Sequence, residues 1–199
     1  MFRGTIIDIF EDIWPMILIF SVILISLRIT YLYFNKKQFI LYKEVISFGF
    51  ILYILCLFRV VTFSDVSWST SNFTPFKEML RYKIGSKLFI KNVLGNMILF
   101  IPYGFFISYF IKIKKPSITA ILTFRVSLTI EVTQSLIGRV FDIDDIILNV
   151  IGGLAGYILF YLSSHIKFNS LLQKNIFYNI ITIIILILIV LYLKGVIYV

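Results

Sequence analysis

The chain has 199 residues, of which 60% are hydrophobic and only 15% charged, with a mean hydropathy of +0.99. A water-soluble domain carries about 25% charged residues, so a water-facing globular fold is excluded. The net charge of +9 gives no nucleic-acid surface, because the cations lie in short groups between apolar runs, where loops meet lipid phosphates. One cysteine, Cys56, excludes an intrachain disulfide.

The expected fold is all-α: a polytopic membrane bundle forming a single domain, residues 1–199, with about six transmembrane helices. Apolar length places the spans at 13–32, 45–61, 93–111, 118–137, 146–162 and 176–193. Asp8, Glu11 and Asp12 outnumber Arg3 ahead of the first span, unlike the basic start of a cleaved signal peptide. Arg28 and Arg59 lie near span ends, where they can snorkel to headgroups.

The long connection 62–92 contains Thr74 and Pro75, a favourable cap and first-turn pair, followed by Phe76, Met79 and Leu80 on one apolar stripe. Lys77, Glu78 and Arg81 lie elsewhere on the turn, and Gly85 can stop it. This predicts a short interfacial helix over 75–83, with Trp68 as a membrane-belt anchor.

On the third span Asn92 and Asn96 are one turn apart, and Pro102 can kink the helix beyond them. On the fourth, Ser127, Glu131 and Gln134 share a stripe, while Arg125 lies on another face, to snorkel or to pair. Glu131 is six residues from its span end, about 9 Å at helical rise. A carboxylate inside a span costs roughly 2.5–3.5 kcal/mol, so Glu131 should face the bundle and take a partner. Arg139 suits that role two turns on if the helix persists; alternatively Gly138 ends the helix and turns Arg139 back.

The run DIDD, 142–145, then sets three carboxylates around one arginine, an excess that suits a cation or a basic ligand. On the fifth span Asp142, Asp145 and Asn149 follow helical spacing if the helix starts early. Asn149 leads to Gly152 and Gly156, a G-x-x-x-G pair that admits a close helix. The last span shows no polar face and reads as peripheral and lipid-facing.

Because successive helices alternate direction, Asn92, Asn96, Glu131, Gln134, Arg139, Asp142, Asp145 and Asn149 converge on one membrane face. Basic residues divide evenly between the two sides. The acidic N-terminus and the acidic 139–145 turn place that face outside. The plain alternative is that Asn92, Asn96 and Gln134 are interhelical glue, worth about 0.6–2 kcal/mol per hydrogen bond.

The motifs of serine hydrolases, P-loop enzymes and zinc proteases are absent, and no metal set or cofactor is expected. The lone His165 lies past the fifth span, on the far side from the cluster, which excludes a Ser-His or His-metal centre there.

The segments NVLGNMILFIPYGF (92–105), SLTIEVTQ (127–134) and GRVFDIDDIILNVIGGLAGY (138–157), preceded by NFTPFK (72–77), together resemble the VanZ-like family. The resemblance covers 72–157, the expected family core. By motif position its signature polar residues correspond to Asn92, Asn96, Pro102, Glu131, Gln134, Arg139, Asp142, Asp145, Asn149 and Gly153. It implies an integral membrane protein of the bacterial plasma membrane, in a family named for an accessory teicoplanin-resistance protein, and it brings no settled chemistry.

The expected role is to bind or alter a cell-envelope lipid intermediate at the outer face, lowering glycopeptide susceptibility. The partners would be membrane lipids and a lipid-linked cell-wall precursor or a glycopeptide. Lys77, Arg81 and Arg139 would contact phosphate, while Asn92, Asn96, Glu131, Gln134, Asp142, Asp145 and Asn149 line the site. The alternative is an intramembrane enzyme in which Glu131 pairs with Asp142 or Asp145 for acid–base or metal-assisted work on a lipid-linked substrate. Nothing in the sequence sets an oligomeric state.

Overall fold

The computed structural model describes residues 2–63, 71–166 and 170–193, and Trp68 lies outside the described residues. The elements are α1 (Phe2–Phe34), α2 (Leu41–Phe63), α3 (Lys77–Arg81), α4 (Lys87–Phe89), a π turn (Ile90–Leu94), α5 (Gly95–Ile111), α6 (Pro116–Leu136), α7 (Ile143–Ser164) and α8 (Leu171–Leu193). The chain is an all-α, multi-pass membrane bundle.

Among the described residues five helices are long and apolar enough to cross a membrane: 14–34, 41–60, 87–111, 143–164 and 173–190. Six were expected, and α6 makes the difference. It has 21 residues, but Thr119, Thr123, Ser127, Glu131 and Gln134 give it one polar face, all of it buried. Its outer face exposes Ile118, Ile121, Phe124 and Val132, with Arg125 and Thr129 among them. Average hydropathy merges the two faces, whereas the bundle separates them.

The chain divides into two compact units, Met1–Leu52 with Lys167–Val199, and Tyr53–Ile166. In the first, Arg28 does more than snorkel. Its guanidinium makes two bonds to the Glu44 carboxylate, at 2.7 and 2.9 Å, a geometry that a planar fork favours. The last span also has a polar group with a structural task. Asn179 Oδ1 accepts the Tyr42 N–H at 2.9 Å, satisfying one of the amides that a helix start leaves without an intrahelical partner.

In the second unit, Leu57, Phe100, Tyr103, Ile107, Ile113 and Tyr157 form the apolar core. Here α5 and α7 approach almost backbone to backbone. A Cβ at Gly152 would lie 2.1 Å from the Met97 carbonyl oxygen, and one at Gly156 the same distance from that of Ile101. The G-x-x-x-G pair therefore does what its spacing predicts. Gly153 turns to α6 instead, where the Thr123 hydroxyl occupies the room a Cβ would need.

Antiparallel pairing of α6 and α7 is tied at both ends and in the middle. The Tyr157 hydroxyl donates to the Lys114 carbonyl at 2.9 Å, just before α6. Asn149 Nδ2 donates to Ser127 Oγ at 2.8 Å, and the Asp142 N–H donates to Glu131 Oε2 at 2.9 Å. The helix α6 thus runs the same depth as α7, which is apolar enough to span.

Candidate functional site

The polar cluster forms where α6 ends and α7 begins. Gly138, at φ +84°, takes the left-handed conformation that glycine adopts without a Cβ penalty. It ends α6, so the turned-back alternative holds, and the Arg139 N–H donates to the Gln134 carbonyl at 2.9 Å. Three residues later Asp142 caps α7, its Oδ1 accepting the Asp144 N–H at 2.9 Å. That side-chain cap starts α7 at Ile143, three residues before the expected boundary.

A strap of chain then crosses this corner. Asn72 and Asp142 form a parallel bridge, in which the Asn72 N–H donates to Phe141 O at 2.8 Å and the Ile143 N–H to Asn72 O at 3.0 Å. Asn72 Nδ2 also donates to Asp142 Oδ1 at 2.9 Å, and its own Oδ1 accepts the Thr74 N–H. Beside the bridge the rings of Phe73 and Phe141 stack with centroids 5.2 Å apart.

Asp144 supplies the second fastening. Its carboxylate accepts the N–H groups of Phe76 at 2.5 Å, Glu78 at 2.7 Å and Met79 at 3.1 Å. A carboxylate at helical amides is favoured both as hydrogen-bond acceptor and by the helix dipole. The short helix α3 is therefore capped from another helix. The expected Thr74–Pro75 start is corrected: Phe76, at φ 66°, is the residue before α3, and the helix begins at Lys77.

Deeper in the bundle, Asn96 Nδ2 donates to Asp145 Oδ1, joining α5 to α7. Asn92 does not share this contact. The π turn over Ile90–Leu94 holds Asn92, and both Asn92 and Asn96 are half-buried. Ser86 starts this helix, its Oγ accepting the Phe89 N–H at 3.1 Å. The helix consequently begins at Lys87, six residues before the expected 93.

Glu131 and Asp144 are 2% and 1% exposed, and Asn72 and Asn149 are each 5% exposed. The structure thus brings Glu131, Asp142, Asp145, Asn96, Asn149 and Gln134 to one end of the second unit. Burial pushes the Asp142 carboxyl above its ordinary value, against the hydrogen bonds from Asn72 and Asp144. Asp144 and Asn72 carry most of the strap bonds, and residue spacing did not single them out as site residues. Their partners lie 66 and 70 residues away, so only the acidic first turn of α7 hinted at Asp144.

The carboxylates of Glu131, Asp142, Asp144 and Asp145 each accept at least one amide N–H. Among the described residues no group of three or more His, Cys, Asp and Glu is arranged to hold a metal ion. Lys77 and Arg81, by contrast, stand on the exposed side of the strap, and Arg81 pairs with Glu78 at 3.1 Å. Arg125 is exposed on another face of α6.

Residues 50–167 match the family model described as VanZ/LLP1. No curated protein and no solved structure matches the chain.

Proposed function

The chain belongs to the VanZ/LLP1 family, and from that membership and the strap geometry we propose that it binds the phosphate-bearing headgroup of a cell-envelope lipid intermediate at the outer face of the plasma membrane. Binding there would lower susceptibility to teicoplanin and related glycopeptides. The observation that carries this reading is a division of labour between charges. The acids accept bonds from the protein's own amides, whereas Lys77 and Arg81 are carried on the exposed side of the strap. Ammonium and guanidinium groups are the usual partners of phosphate, and Arg139 lies in the loop beside the same corner.

The test uses the full chain in phosphatidylcholine nanodiscs with and without undecaprenyl diphosphate. Losing a charge-assisted hydrogen bond costs about 1.5–3 kcal/mol, so Lys77→Gln with Arg81→Gln should weaken binding by about tenfold or more. The same variants, and Arg139→Ala, should raise teicoplanin susceptibility in a knockout carrying them at wild-type surface levels. Unchanged binding and unchanged susceptibility would end the proposal.

A further inference from the structure

The strap has a second edge that headgroup recognition does not use. Leu80, Ile84 and Leu88 are 79%, 85% and 58% exposed, an unusual display of aliphatic surface within nine residues. Just before them, Asp144 holds the amides of Phe76, Glu78 and Met79 against α7. Beyond Lys77 and Arg81, the chain between and around the three aliphatic residues carries Lys83, Lys87 and Lys91, all exposed, and no acid lies among them.

The position of this edge follows from the covalent chain. Lys87 is also the first residue of a 25-residue apolar span, so the residues just before it lie at the boundary of the bilayer. Aliphatic side chains interleaved with cations at that level match an anionic lipid surface, with acyl chains below and negative headgroups beside.

We infer that residues 77–91 form a shelf docked on the leaflet next to α5, with Leu80, Ile84 and Leu88 dipping among the acyl chains while the cations gather anionic lipid. The inference rests on the multi-pass membrane reading and does not require that any cell-wall intermediate bind. It differs from the expected stripe of Phe76, Met79 and Leu80, because Met79 faces inward and is half-buried.

Nitroxide labels at Leu80→Cys, Ile84→Cys and Lys83→Cys, each in full-length Cys56→Ser protein in phosphatidylcholine vesicles containing phosphatidylglycerol, test the depth. At 80 and 84 collisions with oxygen should exceed those with a water-soluble nickel chelate, and at 83 the order should reverse. Chelate dominance at 80 and 84 would mean a water-facing shelf. Exclusion of both relaxants would mean a protein partner or a second copy covers it. Either overturns the inference.

A second arm measures the preference of protein-bound lipid for spin-labelled phosphatidylglycerol over phosphatidylcholine. Replacing Lys83, Lys87 and Lys91 by Gln should reduce that preference by about twofold or more, given how strongly each cation attracts an anionic surface. An unchanged preference would also count against the shelf.

Discussion

The Asp142 N–H donates to the Glu131 carboxylate at 2.9 Å, joining the C-terminal part of α6 to the cap of α7 across a loop that a left-handed glycine, Gly138, opens. The same Asp142 side chain then receives Asn72. One buried acid thus anchors the residue that anchors the strap.

That contact sets the effect of changing Glu131. Glu131→Ala leaves the Asp142 N–H without its acceptor at a buried site, a loss of about 1–3 kcal/mol. Glu131→Gln keeps an acceptor oxygen of nearly the same reach. Thermal unfolding in detergent should show a clear drop in Tm for Ala and a much smaller one for Gln. Equal drops would mean that the charge matters, not the hydrogen bond.

Asp144→Asn tests the strap fastening. The variant keeps the side-chain volume but loses one acceptor oxygen and the charge that reinforces the bonds to Phe76, Glu78 and Met79. A loss of about 1.5–3 kcal/mol in local closure would raise the open population roughly ten- to a hundredfold. Limited trypsin digestion should then cut after Lys77 and Arg81 faster than in wild type, while the long helices remain protected. Unaltered cleavage would show that the Asn72 bridge alone keeps the strap closed.

Glycine substitutions separate close packing from helix propensity. Gly152→Ala would set a methyl 2.1 Å from the Met97 carbonyl oxygen, so α5 must move away, at a cost of about 1–3 kcal/mol for an overpacked interface. Gly49→Ala in α2 meets nothing within 4 Å and should be neutral or stabilising, by up to about 1 kcal/mol. Tm values of the two variants in one detergent decide the matter. Equal values would mean that α5 and α7 are not held as closely as described.

Sequence alone determined the membrane class, the helical architecture and the end of the bundle where polar groups meet. These follow from apolar run length, from alternation of helix direction and from the cost of a lone carboxylate in lipid, all local or additive properties. The family was legible for the same reason, since its motifs fall on consecutive turns of three helices. Gly152 and Gly156 were legible as a close-approach pair because small side chains four residues apart leave only one helix face open.

Tertiary structure decided what the polar groups hold. Asp144 looked like one acid of three until its partners proved to be the amides of 76, 78 and 79, distant in sequence and defined by no periodicity. Arg28 looked like a snorkelling cation until Glu44 lay opposite it. The π turn over Ile90–Leu94 was equally hidden, because nothing in residue spacing announces such a turn. The helix α6 fell below the apolarity of a span because hydropathy averages over a helix, whereas burial acts on its two faces separately. A hydrogen bond needs both partners within about 3 Å, and only the folded chain brings residues 72 and 142 to that distance.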